Sequence, residues 1–366
     1  MVSINHVAEI AGVSNATVSR CINDPLKVSK RTRAKVQSAI ADTGYTANTL
    51  ARSFRRGKTN MIMVVIPSVG DPFFTLVMEG IRAAAKRCGY TIMINETQLS
   101  DLNADEIGAM MVSRQADGII LLASLSPFGN AMLSSTSNRP IPIVIGCETV
   151  SSDLASLPSV HIDNVGAAKE ATEYLISQGH RNVSFISGPE SSLLTKDREY
   201  GYLKGMLASK TTSEYVQIED GGMSIHGSAK ATRKLLSQRP RPTAIFCAND
   251  EMAMGAIHEI KNQGLSVPGD ISVIGFDDIR YAEITDPPLT TIYQPAEEIG
   301  ERVFYRVLRS IKDAGADDDM AEIEKIVNER KTADGMEYMV KWKGHVDSYN
   351  EWIKAENIQG IGEPVS

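Results

Sequence analysis

Residues 3–22 read SINHVAEIAGVSNATVSRCI, and their spacing decides how this end of the chain folds. Ser3 suits the cap of a helix whose inner face is Ile4, Val7, Ala8 and Ala11, and Gly12 permits the tight turn that follows. Ser14 suits the cap of a second helix, with Val18, Cys21 and Ile22 three and four residues apart on its buried side. Ser29 opens a third, buried through Val36, Ala39 and Ile40 and stopped near Gly44. A helix, a short glycine-containing turn and a second helix make a helix-turn-helix. If Val18, Cys21 and Ile22 point inward, the exposed face of the second helix carries Asn15, Ala16, Ser19 and Arg20, with Thr17 beside them. A recognition helix presents such a face to the major groove. Arg20 can donate two hydrogen bonds to a guanine edge, Asn15 can pair with adenine or reach a phosphate, and Ala16 offers a methyl contact. The plainer reading leaves Arg20 on phosphate or in solvent.

Charge supports the sharper reading. Residues 1–60 carry ten Lys/Arg against three acids, so a +7 module precedes a body of -14 within a net charge of -7. A basic module on an acidic body is expected when one end touches a polyanion and the other does not. The length of 366 residues allows two or three folded units, and 42% hydrophobic with 23% charged residues is a globular balance. No apolar run approaches the roughly 18 to 20 residues of a membrane helix. The opening MVSINHVAEI lacks a basic flank followed by an apolar core, so a secretory leader is not expected. Four scattered cysteines, without CxxC spacing, imply neither zinc nor a disulfide framework, and a reducing cytoplasm fits them.

From Met61 onward, apolar strand-like runs (61–66, 90–95, 117–123, 142–146, 182–187, 243–248 and 271–276) alternate with helical stretches (72–88, 101–114, 164–179, 194–209, 224–238, 249–263 and 295–312). That order implies an α/β body of parallel sheets covered by helices, and the strand count suggests two lobes. Ligands bind open parallel sheets at the carboxyl ends of their strands. The residues there are Asp71 and Phe73 after the first run, Asn249 after the 243 run and Asp277 after the 271 run, with Arg198 near the start of a helix. Aromatic faces combined with Arg, Asn and Asp suit a polar ring-bearing or polyhydroxy molecule. Asn249 and Asp277 have the alternative of simply capping the helices after them, Phe73 that of ordinary packing, and His161 that of a structural histidine. His180, after Gly179, reads as a helix-ending residue. The chain has no GxGxxG after its first strand, no GxxxxGK[ST] loop, no GxSxG elbow and no metal-ligand spacing, so neither catalysis nor a cofactor is expected.

The stretches VAEIAGVSNATVSRCIN (7–23), VSKRTRAKVQSAIADTGY (28–45) and LARSFRRGKT (50–59) resemble the lactose-repressor family of bacterial transcription regulators. That resemblance implies a hinge helix over Asn48 to Arg56, with Asn48 and Arg55 on DNA and Phe54 as an apolar wedge in the minor groove. Phe54 stands where leucine is usual, and Ala47 where proline is common. Asp71-Pro72-Phe73-Phe74, Val160-His161-Ile162-Asp163-Asn164, Asn249-Asp250, Val273 to Asp278 and Pro287 to Thr291 resemble the family's effector-binding body, shared with periplasmic sugar-binding proteins. SPFGNAM (126–132), VHIDN and PPLTTIYQP are most similar to the family's cytidine-responsive branch, which implies a nucleoside effector. By matching motif, Phe73, Phe128, His161, Arg198, Asn249 and Asp277 are then its contacts. The implied protein is a homodimeric, cytoplasmic, nucleoid-associated repressor of an operator in double-stranded DNA. A small-molecule binding protein without regulatory DNA binding is the alternative.

The carboxyl-terminal segment breaks the pattern. Ala314-Gly315-Ala316-Asp317-Asp318-Asp319 has linker composition, and apolar runs at Ile323 to Val327 and Tyr338 to Trp342 around a turn at Asp334-Gly335 suggest an antiparallel hairpin. Residues 323–358 resemble a chromodomain, through VKWKG and NxW. That resemblance implies a methylated histone lysine held in an aromatic cage. Trp342 matches one cage position and Tyr349 can assist, but Ala321 and His345 occupy the other two. The alternative is that Glu322 to Thr332 adds a last strand to the body. The expected organisation is a helix-turn-helix domain (1–46), hinge and linker (47–60), two-lobed α/β effector and dimerisation body (61–312), linker (313–319) and a small antiparallel β chromodomain-like segment (320–366).

Overall fold

The computed structural model describes residues 3–45, 58–96, 115–122, 142–149, 157–208, 216–314, 323–332, 335–342 and 351–354, the last three stretches as backbone. The chain divides into two compact units, Met1–Ile311 and Lys312–Ser366.

The head has the three expected helices: α1 (Ile4–Ala11), α2 (Asn15–Asn23) and α3 (Lys30–Thr43). Their serine caps form as the sequence demands. The Ser3, Ser14 and Ser29 hydroxyls accept from the backbone N–H of His6, Thr17 and Thr32. Gly12 ends α1 in the left-handed region (φ 64°), where a side chain would be strained. Val7, Ala8, Ala11, Val18, Cys21, Val36 and Ala39 form a separate small core.

Two five-stranded parallel sheets make the body. The first has the order β2-β1-β3-β4-β5, from β1 (Met61–Ile66), β2 (Thr91–Glu96), β3 (Gly118–Leu121), β4 (Ile143–Gly146) and β5 (Ser159–Val160). The second has the order β10-β9-β8-β6-β7, from β6 (Val183–Ser187), β7 (Gln217–Asp220), β8 (Ala244–Cys247), β9 (Ser272–Asp277) and β10 (Thr290–Tyr293). The two orders are the same doubly wound pattern, with switch points between β1 and β3 and between β6 and β8. The inner strands are near-continuous apolar runs because both faces are covered.

The described helices of the body are α4 (Pro72–Cys88), α5 (Asn164–Ser177), α6 (Leu193–Ala208), α7 (Ile225–Ser237), α8 (Asp250–Asn262) and α9 (Ala296–Ala314). The chain leaves the first lobe between β5 and α5 and returns after β10, where α9 packs on α4. Gly80 and Gly300 make that contact possible. A Cβ on Gly80 would run into the Glu297 carbonyl, and one on Gly300 into the Val77 carbonyl. Across the same interface Arg87 pairs with Glu301 and donates to the Tyr305 hydroxyl at 3.3 Å.

Strands β5, β7 and β10 were not expected from the sequence. All three are sheet edges, short and only partly covered, so they lack the apolar run that marks a buried strand. His180 ends α5 as read, its N–H donating to the Leu175 carbonyl at 3.3 Å after Gly179 at φ 98°, and it does more besides. Its ring nitrogens lie 3.0 Å from the Thr243 and Ser272 hydroxyls, joining the segments that lead into β8 and β9. The expected helix at 101–114 lies outside the described residues.

In the second unit, β11 (Ile323–Thr332) pairs antiparallel with β12 (Gly335–Trp342), which pairs antiparallel with β13 (Glu351–Lys354). The expected hairpin is present with a third strand added, and β11 sits in this sheet rather than in that of the body.

Gly300→Ala is expected to destabilise the chain by about 3 kcal/mol, because neither backbone can yield without separating α4 from α9. Denaturant unfolding measures this, and a loss below about 1 kcal/mol would show that the helices can move apart cheaply.

Candidate functional site

The carboxyl ends of the two sheets converge on one buried cation. Arg198, on α6, is 2% exposed. Its Nε donates to Asn164 Oδ1 at 3.1 Å, and one terminal nitrogen donates to the Ala248 carbonyl and, at 3.3 Å, to Asp277 Oδ1. The guanidinium carbon lies 3.6 Å from the centroid of the Phe276 ring. Gln294, in the crossover to α9, donates to the same Asp277 oxygen at 2.7 Å. A buried charge is tolerated only when paired and hydrogen-bonded, and here every partner comes from a strand end or helix start of the second lobe or from the crossover.

Backbone strain gathers at the same edge. Cys147, Asp277 and Asp278 have φ of 69°, 116° and 56°, in the region glycine favours, at the ends of β4 and β9. Asp250, the first residue of α8, accepts from Thr291 Oγ1 at 2.6 Å and from the Ile279 N–H at 2.9 Å. It thereby holds the loop after β9 against β10.

The first lobe contributes carboxylates. Asp71 caps α4 through the Phe73 N–H at 2.8 Å, and burial raises its pKa although Arg198 pulls it down. Glu148 follows β4 and is nearly buried, and none of the hydrogen bonds among the described residues involves it. Burial pushes its pKa up to about 7 against the pull of Arg198, with Asp197 adding to the rise. Its neighbour Thr149 donates to Asp197 on α6 at 2.8 Å, a direct bond between the lobes. Asp277 is also pushed upward by burial, opposed by Arg198 and reinforced by Asp250 and Asp71.

On the head, Asn15, Ala16 and Arg20 are exposed, Thr17 and Ser19 partly so, and Val18 and Cys21 are buried. Asn15 donates to Asn5 Oδ1 at 2.6 Å, which ties the start of α2 to α1.

Two family signatures cover this architecture. "Bacterial regulatory proteins, lacI family" matches residues 3–48, and "Periplasmic binding proteins and sugar binding domain of LacI family" matches residues 59–332. The chain belongs to the lacI family. It is 37% identical over 306 residues to the HTH-type transcriptional repressor CytR of Escherichia coli (strain K12), covering 84% of this chain and 89% of that protein. The HTH-type transcriptional repressor PurR of Proteus mirabilis (strain HI4320) is 34% identical over 338 residues, covering 92% and 98%. Among solved structures, the lac repressor dimer bound to operator and the anti-inducer ONPF has a TM-score of 0.77 at 27% identity, covering 86% of this chain and 94% of that one. A Chromo (CHRromatin Organisation MOdifier) domain signature matches residues 321–364, overlapping the body signature over 321–332.

In this lacI-family chain the structure brings Arg198 and Asp277 together as an ion pair, so Asp277 is not a helix cap. Asn249 is one: its Oδ1 accepts from the Met252 N–H at 2.9 Å, and its amide nitrogen makes no hydrogen bond among the described residues. Phe73 is buried, with its ring edge-on to Phe74 at 5.3 Å. His161 stands exposed in the crossover, its Nδ1 2.8 Å from the Ile162 carbonyl. Asn48, Phe54, Arg55, Phe128 and Tyr349 lie outside the described residues, and Trp342 is placed on β12 by its backbone. Sequence reading missed Asn164, Phe276, Gln294, Glu148 and Thr149. Asn164, Phe276 and Gln294 lie inside the motifs VHIDN, Val273 to Asp278 and PPLTTIYQP but were given no role there, whereas Glu148 and Thr149 carried no local signal.

The pH dependence of stability isolates Glu148. Its folded pKa of about 7 exceeds the ordinary 4.5, so the unfolded chain releases this proton first and stability is lost as pH rises from about 4.5 through 7. Glu148→Gln removes that loss. The variant should match the parent near pH 4 and exceed it at pH 8 by up to about 3 kcal/mol, read by denaturant titration. A gap that is the same at both pH values would contradict this.

Proposed function

We propose that this ligand-regulated DNA-binding repressor takes a nucleoside-like effector between its lobes, and that the bound effector sets how two heads of a homodimer grip an operator. The observation that carries the effector reading is the composition of the buried edge. Arg198 has a second terminal nitrogen, Asp277 a second carboxylate oxygen and Asn249 an amide nitrogen, none of them hydrogen-bonded among the described residues. Donors and acceptors fixed in this way suit vicinal hydroxyls, which both donate and accept. Phe73 and Phe128 are the candidates for stacking on a base, and His161 for a contact at the crossover. Asp71 and Glu148 face the same region from the first lobe and disfavour a phosphate. A nucleoside therefore fits better than a nucleotide.

For the head, the proposal places α2 in the major groove, with Arg20 and Asn15 on base edges, Ala16 on a methyl group, and Thr17 and Ser19 at the backbone. Asn48, Phe54 and Arg55 follow at the minor groove. An effector changes this grip only by binding one arrangement of the lobes better than another. A cytoplasmic, nucleoid-associated location follows from the operator, and no helix among the described residues is long and apolar enough to cross a membrane.

Thermal melting with cytidine, uridine, adenosine, cytidine monophosphate and ribose tests the ligand class. A shift of several degrees is expected with at least one nucleoside and little with the monophosphate. A larger shift with ribose or the monophosphate would overturn the nucleoside reading. Selection from random duplexes tests the head. Enrichment of a near-palindrome is expected, and Arg20→Ala should relax one position in each half-site by about 1–3 kcal/mol. Uniform weakening across all duplexes would instead assign Arg20 to phosphate.

A further inference from the structure

The ligand edge of the first lobe lies at the carboxyl ends of its strands, and the segment from the head enters at the opposite end, before β1. Strand β1 is six residues long, so the two ends lie about 20 Å apart. A signal between them needs a rigid path and a firm attachment at the far end.

Asp117 makes that attachment. Strands β1 and β3 run parallel with Ile62 opposite Gly118, which puts residue 117 beside Met61 at the amino-terminal edge of the sheet. One oxygen of the Asp117 carboxylate accepts from the Thr59 N–H at 2.7 Å and the Thr59 hydroxyl at 2.9 Å. The other accepts from the Asn60 N–H at 2.8 Å. The Asp117 N–H donates to the Met61 carbonyl at 2.8 Å, and the Asn60 carbonyl accepts from Thr91 N–H at 2.9 Å. Asn60 has φ 53°, so the chain turns sharply here and is fastened on both sides of the turn. Asp117 is itself held, because a Cβ on the next residue, Gly118, would press into Val307 and Ile311 of α9.

We propose that Asp117 is the positioning residue through which the first lobe holds the segment leading to the DNA-reading head. Its carboxylate supplies the acceptors for the N–H groups of the last two residues before β1. With those bonds in place, displacement of β3 and α9 is delivered to residue 59. Without them, two backbone N–H groups turn to water and residues 59 and 60 loosen from the sheet. The inference rests on the chain being a DNA-binding regulator.

The test uses the full chain, well below its melting temperature, and a duplex enriched from a random pool by the wild type. For Asp117→Ala, amide exchange at Thr59 and Asn60 is expected to be at least about tenfold faster, and affinity for the enriched duplex about tenfold weaker in a gel shift. Thr59→Val keeps both backbone bonds to Asp117 and removes only those of the Thr59 hydroxyl, which donates to Asp117 and accepts from the Met61 N–H at 3.2 Å, so it should lose less in the same direction, and Thr59→Ser should restore it. A purely stabilising role lowers the melting temperature of these variants but leaves their affinity at low temperature unchanged. If Asp117→Ala does not fold, the Thr59 pair decides. Variants that bind the enriched duplex within twofold of the wild type overturn the proposal alone. A wild type that enriches no duplex overturns the regulator reading and the proposal with it.

Discussion

The cost of keeping the Arg198 guanidinium out of water organises the carboxyl edge of the second lobe. Desolvating such a group costs several kcal/mol, and the charge persists only because Asp277, Asn164, the Ala248 carbonyl and the Phe276 ring surround it. These partners lie on three separate stretches of the second lobe, and Arg198 itself on a fourth. Satisfying one cation therefore fixes the relative positions of α5, α6, β8 and β9, and it accounts for the strained backbone at Asp277. Gln294 extends the same network into the crossover. The residues at this edge are thus ordered by the fold's own contacts.

Parallel sheets give the body two chemically distinct ends. The carboxyl ends gather titratable and strained residues, whereas the amino ends gather fastenings: the Asp117 clamp on Thr59 and Asn60 in the first lobe, and the His180 bridge between Thr243 and Ser272 in the second. Helix α9 belongs to neither end, since its close contact with α4 through Gly80 and Gly300 runs along the flank of the first lobe. Among the described residues the lobes share the polar contact of Thr149 with Asp197, and they are joined by crossovers.

Whatever rests on local chemistry was legible in the sequence. The serine caps, the glycine after α1, the inward face of α2 and the inner strands are short-range consequences of residue type, and they stand where the spacing put them. The edge strands β5, β7 and β10 were hidden because a strand covered on fewer sides carries less apolar residue. Site residues divided the same way. Arg198, Asn249 and Asp277 sit beside recognisable strand ends, but the partner that makes Asp277 an ion pair is 79 residues away in sequence. Glu148 and Gln294 acquire meaning only from what the fold brings opposite them. In the final unit, VKWKG and the Asp334-Gly335 turn disclosed a hairpin, and β13 followed from the pairing of β12.

The head's interior is small: seven buried apolar side chains, three of them alanines, with no metal-binding cluster or disulfide among the described residues. So small a nucleus leaves little reserve against conformational entropy. On warming, the operator-reading module would melt while the thicker α/β lobes remained intact. Derepression by heat would then precede denaturation, and a bound duplex, by favouring the ordered head, would delay it.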